Sequence, residues 1–491
     1  MPPPSRPLPR FALPAAAIVL AVAGIAGMLA RGAPPRSSAT GSTPAAREAA
    51  PLPSGPVRDP FAWSREDEAA LVARAARGTS HGIFTLSPGG VDASAARTAR
   101  YRGLVNAAAR TAGIPPETLE GLVLLESAGR TDAVTPSGLS GAVGLTQILA
   151  QTGSGLLGMQ VDSAAAQRIS DRIRRATDAG DSAKVQELVR RRAQVDQRFD
   201  ARASLEATGR YLAEARRRFG RTDLAIASYH MGQGNLESVL RAYSGEHSGP
   251  IADVVRRDGL SYAKVYFDSS PTRHAEAWRQ LSGLGDDSAN YLWKVYAAQA
   301  IMRQWRTDRT GLARLAARHD ASDTGEQALH PVPGTPRFAN PEALKTALDQ
   351  GRLVALPHQP GRTGLRLPAS LAPLYRGLRP EAAAVALYLG EQVRAQVPGT
   401  SLGITAAARD VASGATGREG VSPTLMHQTG WAFDIARSYS SGTQALALQF
   451  WLDRLSVLGA IAWQREGRQI HITAAPEREL LGLLRGVAVS R

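Results

Sequence analysis

GLVLLESAGR, residues 121–130, runs five residues without a charge and then places a glutamate. Leu119, Leu122, Val123 and Glu126 are spaced i, i+3, i+4, i+7, which on a helix is a single stripe. Glu126 is therefore in line with the apolar residues rather than opposite them. A carboxylate on a buried stripe must be paired, protonated or put to use.

Outward from this helix, residues from about 97 to 315 read as helical, with Ala, Leu and Arg at helical spacing punctuated by Gly. Within them, DRIRRATDAGDSAKVQELVRRRAQVDQRF reads as two solvated helices joined at DAGD. SGLSGAVGLTQILAQTG (137–153) reads as a Gly-punctuated turn into a helix carrying Gln147. LAIASYHMGQGNL (224–236) and NYLWKV (290–295) follow. After residues 319–342, a second linker containing ASDTGEQALHPVPGTPRFANPE, the text changes to short β-type runs mixed with helices: RLVALP, SLGITAA, WAFDIA and QIHITA. The expected organisation is multidomain, with an all-α domain (97–318), that linker, and an α+β domain (343–491).

The N-terminus adds an address. Arg6 and Arg10 precede FALPAAAIVLAVAGIAGMLA (11–30), which carries no charge. This is either an export signal or a single membrane anchor. Its length favours an anchor, and small residues at AVAG permit cleavage. Both readings for 1–30 place the rest outside the cytoplasm. Residues 31–60, rich in Pro, Ala, Ser and Gly, read as a flexible tether spanning roughly 30 Å. A short helical lead-in (61–96) follows.

The 491 residues hold 58 Lys+Arg against 43 Asp+Glu, a net charge of +15, and nearly all the basic residues are arginine. This favours a polyanionic partner: nucleic acid, a membrane surface or an acidic cell-wall polymer. Aromatics make up only 5% of the chain and do not interleave with basic residues, so no nucleic-acid partner is expected. With no cysteine, disulfides, thiolate metal sites and a cysteine-linked lipid are excluded.

Glu126-Ser127, the Gly-rich segment with Gln147, the SYHMGQG loop and Tyr291-Leu-Trp-Lys-Val resemble, in order, the lytic transglycosylase family of goose-lysozyme-like fold. There a helix ends in Glu-Ser, and a GA-x-GL-x-Q segment, an A-Y-N-x-G-x-G loop and a Tyr-x-x-Lys-Val helix follow. The resemblance covers roughly 97–305. It implies an all-α lysozyme-like domain that cleaves the MurNAc-GlcNAc β-1,4 bond of peptidoglycan and forms 1,6-anhydro-MurNAc. It makes Glu126 the acid and then the base, and Ser127, Gln147, Tyr229 and Tyr291 substrate contacts. No cofactor is implied for this reaction. Thr146 stands where the family has methionine, and His230 where it has asparagine.

The chemistry agrees. Breaking a glycosidic bond needs an acid still protonated near neutral pH, and desolvation beside Leu122 and Val123 would raise a carboxyl pKa, as in lysozyme. Ordinary glycosidases need a second carboxylate about 5–9.5 Å away. Asp132 lies in a turn-like setting, and no partner is evident. A lone acid suits attack by the muramyl residue's own hydroxyl. A water-using muramidase stays open, with Asp200 or Asp223 folding in.

A second constellation lies downstream. HQTGWAFDI (427–435) holds His427 and Asp434. In GRQIHITA (467–474) a strand would place His471 on one face with Gln469 and Thr473, while Ile470 and Ile472 point to the core. His, Asp and His make an open zinc site. These residues resemble the zinc D-alanyl-D-alanine and L-alanyl-D-glutamate peptidases, with SLGITAAARDVA supplying Arg409 for a substrate carboxylate. That family keeps a glutamate three residues before its last histidine as general base. Arg468 stands there instead, and Glu466 lies five residues before His471, in reach only if a loop bends it back. Three readings are open: a peptidase with an unusual base, a zinc- or peptide-binding module, or packed histidines without metal. Together the halves point to peptidoglycan as partner, reached from the membrane through the N-terminal segment, either as an enzyme or as a non-catalytic wall-binding scaffold.

Overall fold

The computed structural model describes residues 59–320, 325–330, 334–357, 363–413 and 425–486. The 1–30 segment and nearly all of the 31–60 tether lie outside the described residues. Among the described residues, no helix is long and apolar enough to cross a membrane.

The helical half is built around the helix Pro116–Ser127. Pro115, in extended conformation, and Pro116 at the first helical position start it, because proline there forfeits no intrahelical bond. Ala128, left-handed at φ 53°, ends it, with Ala128 N donating to Leu124 O at 3.1 Å and Gly129 N to Val123 O at 3.4 Å. The single apolar stripe understates this helix: Thr118 through Leu124 are all buried. The reason is packing against the helix Tyr291–Thr307. At Gly121 a Cβ would lie 2.8 Å from Gln299 Cγ and 3.1 Å from Val295 O, so only glycine admits that approach. Glu120, which the stripe would leave facing outward, is buried, and Arg102 (2.9 Å) and Arg306 (2.7 Å) neutralise it.

Gln147 is not on a helix. It occupies the turn of a short hairpin, Ala142–Val143 against Ile148–Leu149, at φ 50°. Gly144 begins that turn at φ 80°, and a Cβ there would sit 1.8 Å from Arg198 O. Arg198, buried and ion-paired to Asp196 at 2.7 Å, donates to the carbonyls of Leu139, Gly141 and Ile148, so the hairpin is clamped from beneath. The charged stretch forms the two helices Ser163–Asp178 and Ser182–Val195, capped by Asp162 and Asp181.

The C-terminal half carries a five-stranded sheet in the order Leu365–Arg366, Leu402–Ala406, Ala432–Ala436, Gln469–Ala474, Ile461–Glu466. The first pair is parallel and the rest antiparallel. The register sets Asp434 and Gln464 on either side of His471. All six residues of Gln469–Ala474 are buried, so the expectation of one core face gives way to a strand covered on both. Part of that cover comes from 319–342, expected as a linker, where Gly325–Leu329 forms a helix.

The two halves are joined by more than chain. Arg454, on the helix Gly442–Val457, is buried and donates to Tyr266 O (2.7 Å), Phe267 O (2.8 Å) and Ser269 O (3.0 Å) of the helical half. Arg74 pairs with Glu477 at 2.5 Å, and Tyr388 Oη reaches Asp59.

Candidate functional site

The Glu-Ser end of Pro116–Ser127 opens into a cleft of about 510 Å³. Glu126 lies on its wall, half-buried. Desolvation pushes the carboxyl from 4.5 up to about 7, against the smaller opposing effects of the Tyr291 hydrogen bond and the Lys294 charge. Tyr291 Oη donates to Glu126 Oε1. Burial, with the Glu126 carboxyl beside it, holds that phenol well above its ordinary value, so it remains a donor.

The other expected contacts divide. Gln147 lines the cleft, its Nε2 donating to Gly144 O (2.9 Å) and Ala133 O (3.2 Å). Ser127 is buried, and its hydroxyl donates to Leu145 O at 2.8 Å, which ties the helix Pro116–Ser127 to the Gln147 turn. Tyr229 Oη donates to Thr146 O at 2.8 Å and its ring stacks on Tyr291. The Thr146 hydroxyl, in methionine's place, accepts from Thr208 at 2.9 Å within the core.

Asp287 went unnoticed in the sequence, and His230 and Lys294, read there only as motif positions, also line the cleft. His230 stacks on Tyr291 (4.9 Å between centroids), and its Nδ1 meets Ser288 Oγ at 2.7 Å. Its buried Nε2 has no hydrogen-bond partner among the described residues. Burial holds this imidazole below its ordinary pKa. Lys294 pairs with Asp287. NYLWKV spans Lys294, and helical spacing puts it one turn from Tyr291, a signal that was there to use. The lead-in also contributes a wall through Ile83, Leu86 and Pro88.

Of the other acids considered, Asp132 is exposed beside Arg130, Asp200 caps Ala201–Phe219, and Asp223 accepts from Arg221 and Tyr262 N. None of these three lines the cleft. Beyond Glu126, Asp287 is the other carboxylate on the wall among the described residues.

Residues 103–248 match the transglycosylase SLT domain family. The SLT match covers Glu126, Ser127, Gln147, Tyr229 and His230, and it supports a lytic transglycosylase with peptidoglycan as substrate. It stops short of the helix bearing Tyr291 and Lys294 and does not reach the C-terminal half. No curated protein matches the chain.

In that half, His427, Asp434 and His471 converge, buried, with potential ligand atoms within 4.8 Å of one another. His427 Nδ1 faces Ala407 O at 2.8 Å. A carbonyl only accepts, so Nδ1 is the donor, and Nε2 is the nitrogen turned to the cluster, 3.1 Å from Asp434 Oδ1. The same oxygen lies 2.8 Å from His471 Nδ1. Asp434 Oδ2 is buried without a partner among the described residues. Two imidazole nitrogens and a carboxylate turned toward one point, one oxygen orphaned, fit a divalent cation. Burial would raise the Asp434 carboxyl, but the two histidines hold it well below its ordinary value.

Arg409 stands beside this cluster, its backbone N–H donating to His427 O at 3.0 Å. Arg468 lies exposed in the hairpin turn. Glu466 ends its strand opposite Gln469, on the same face as His471. There its Oε1 accepts from Gln464 at 2.5 Å.

Proposed function

We propose that the chain cleaves the MurNAc-GlcNAc β-1,4 bond of peptidoglycan with formation of 1,6-anhydro-MurNAc. The observation that carries this is Glu126: a cleft-wall carboxyl raised to about 7 by burial, with a phenol on one oxygen. Protonated, it gives its proton to the departing glycosidic oxygen. As carboxylate, it then takes the proton of the muramyl 6-hydroxyl as that oxygen closes on C1. Tyr291 holds the carboxyl in place through both steps. Hydrolysis by water is the second reading, because Asp287 also lies on the cleft wall; its pairing with Lys294 disfavours it as a base.

The C-terminal half is proposed to hold zinc through His427, Asp434 and His471 and to bind or cut stem peptides, with Arg409 near the peptide carboxylate. Bound zinc would supply a Lewis acid. The segment 11–30 is proposed as the anchor that keeps the enzyme at the outer face of the cytoplasmic membrane.

The test is mass spectrometry of fragments released from purified sacculi, with and without added zinc. Anhydro-muramyl ends that vanish in Glu126→Gln support the transglycosylase, and reducing ends would replace it with a muramidase. No fragments, with the protein still sedimenting with the wall, would leave a binding scaffold. Peptides trimmed only with zinc would support the peptidase.

A further inference from the structure

Glu326 belongs to a stretch whose composition reads as linker, yet its side chain is buried at 6% exposure. Burying a carboxylate is costly unless a partner compensates. Its partner lies 145 residues away: Glu326 Oε2 is 3.0 Å from His471 Nε2. The same segment is fixed at its other end, where His330 Nε2 meets Ala474 O at 2.6 Å and the ring stacks on Trp431, 4.3 Å between centroids.

We propose that Glu326 is an outer carboxylate of the metal cluster, which fixes His471 with Nε2 protonated and Nδ1 toward the ion and so couples docking of Gly325–Leu329 to metal binding. This rests on the proposal that His427, Asp434 and His471 hold a cation.

The two ring nitrogens point to opposite edges of an imidazole. Nδ1 faces Asp434 and Nε2 faces Glu326, so Glu326 stands behind His471 as seen from the cluster. It is a positioning residue and not a replacement for the missing general base, which must face the ion. Thr473 Oγ1, 3.4 Å from the same nitrogen, is the weaker neighbour. His427 has the equivalent support in Ala407 O. Both histidines are thus held from behind, one by the local backbone and one by a segment arriving from between the halves. A carboxylate there also makes the imidazole a stronger ligand.

The test is Zn²⁺ affinity of the full chain, measured by competition with a chromogenic chelator, with far-UV circular dichroism and a cooperative melting transition confirming that each variant is folded. Wild type is expected to bind one Zn²⁺, and His427→Ala to lose it. Glu326→Ala should bind roughly 10–100-fold more weakly, and Glu326→Gln, which can still accept through its amide oxygen, should fall between. By reciprocity, Zn²⁺ should slow amide exchange in Gly325–Leu329 in wild type but not in Glu326→Ala. Unchanged affinity in Glu326→Ala would overturn the proposal. So would an equal loss in His330→Ala, which loosens the segment without touching His471. If wild type binds no Zn²⁺ at all, it is the cation reading that fails.

Discussion

Replacing Glu126 with Gln should abolish wall cleavage and at the same time stabilise the protein, by an amount set by pH. The folded carboxyl titrates near 7 against 4.5 for the free group. At about 1.4 kcal/mol per pH unit, the ionised carboxylate costs the fold about 3 kcal/mol. Solvent entering from the cleft makes that an upper figure. The sign follows from proton counting. Below 4.5 both states hold the proton and nothing is lost. Between 4.5 and 7 the unfolded chain has released a proton that the folded chain keeps, so stability falls as pH rises. Above 7 the loss is complete. Gln keeps the shape and can accept from Tyr291 but never ionises. The melting temperatures of wild type and Glu126→Gln should therefore converge at about pH 4 and separate by a few °C at about pH 8. Wild-type cleavage should decline over the same range, as the acid loses its proton above 7. A melting difference that stays constant with pH would refute the desolvation argument, whatever the variant does to activity.

Tyr291→Phe removes the donor on Glu126 Oε1; cleavage should fall on the order of 10–100-fold through misplacement of the acid, with the alkaline limb of the pH–rate profile moved upward. Lys294→Met removes a charge that lowers the Glu126 pKa, so that limb should also move upward; a downward shift would be inconsistent with the electrostatics. Glu120→Gln leaves Arg102 and Arg306 facing a neutral amide; with both a third exposed, the loss on chemical denaturation should sit at or below the low end of about 3–5 kcal/mol. Arg454→Met strands three buried carbonyls, each worth about 1–3 kcal/mol, and calorimetry should resolve separate transitions for the two halves where wild type shows one.

What the sequence revealed, and what it hid, follows from how local each cause is. The helix Pro116–Ser127 was legible because Pro-Pro, the apolar spacing and Ser127-Ala-Gly all lie within it. Its burial on every side was not, because that depends on Gly121 meeting Gln299 across the fold. Gln147 was placed on a helix since ILAQ follows it at helical spacing; the turn is imposed by Arg198, fifty-one residues on. His427, Asp434 and His471 were recognisable from their spacing. Glu326 was not, since nothing in TGEQALH marks a buried carboxylate until its partner strand is in place. The same holds for Arg454, whose three acceptors lie in the other half of the chain. An arginine on an amphipathic helix reads as solvated, and here it is the bolt between two halves that the sequence presents as separable.

The carboxylates of the two sites sort by one criterion, whether the fold supplies a fixed cation. Glu120 and Glu126 share a helix and lie six residues apart, so helix identity decides nothing between them. Glu120 is the more deeply buried, but two guanidinium groups neutralise it, and its role ends at structure. Glu126 has only a phenol in contact and the Lys294 charge at a distance, and the cheapest response to burial is to keep its proton. That proton is what a glycosidic oxygen needs. Asp434 is the third case: both its close neighbours are imidazoles, and His427 has its proton committed to Ala407 O. Full neutralisation there requires either a second proton on a buried imidazole or a cation from solution. Depth of burial alone would have grouped Asp434 with Glu120 and passed over Glu126, and a fixed guanidinium counter-charge, present at Glu120, is what Glu126 and Asp434 both lack.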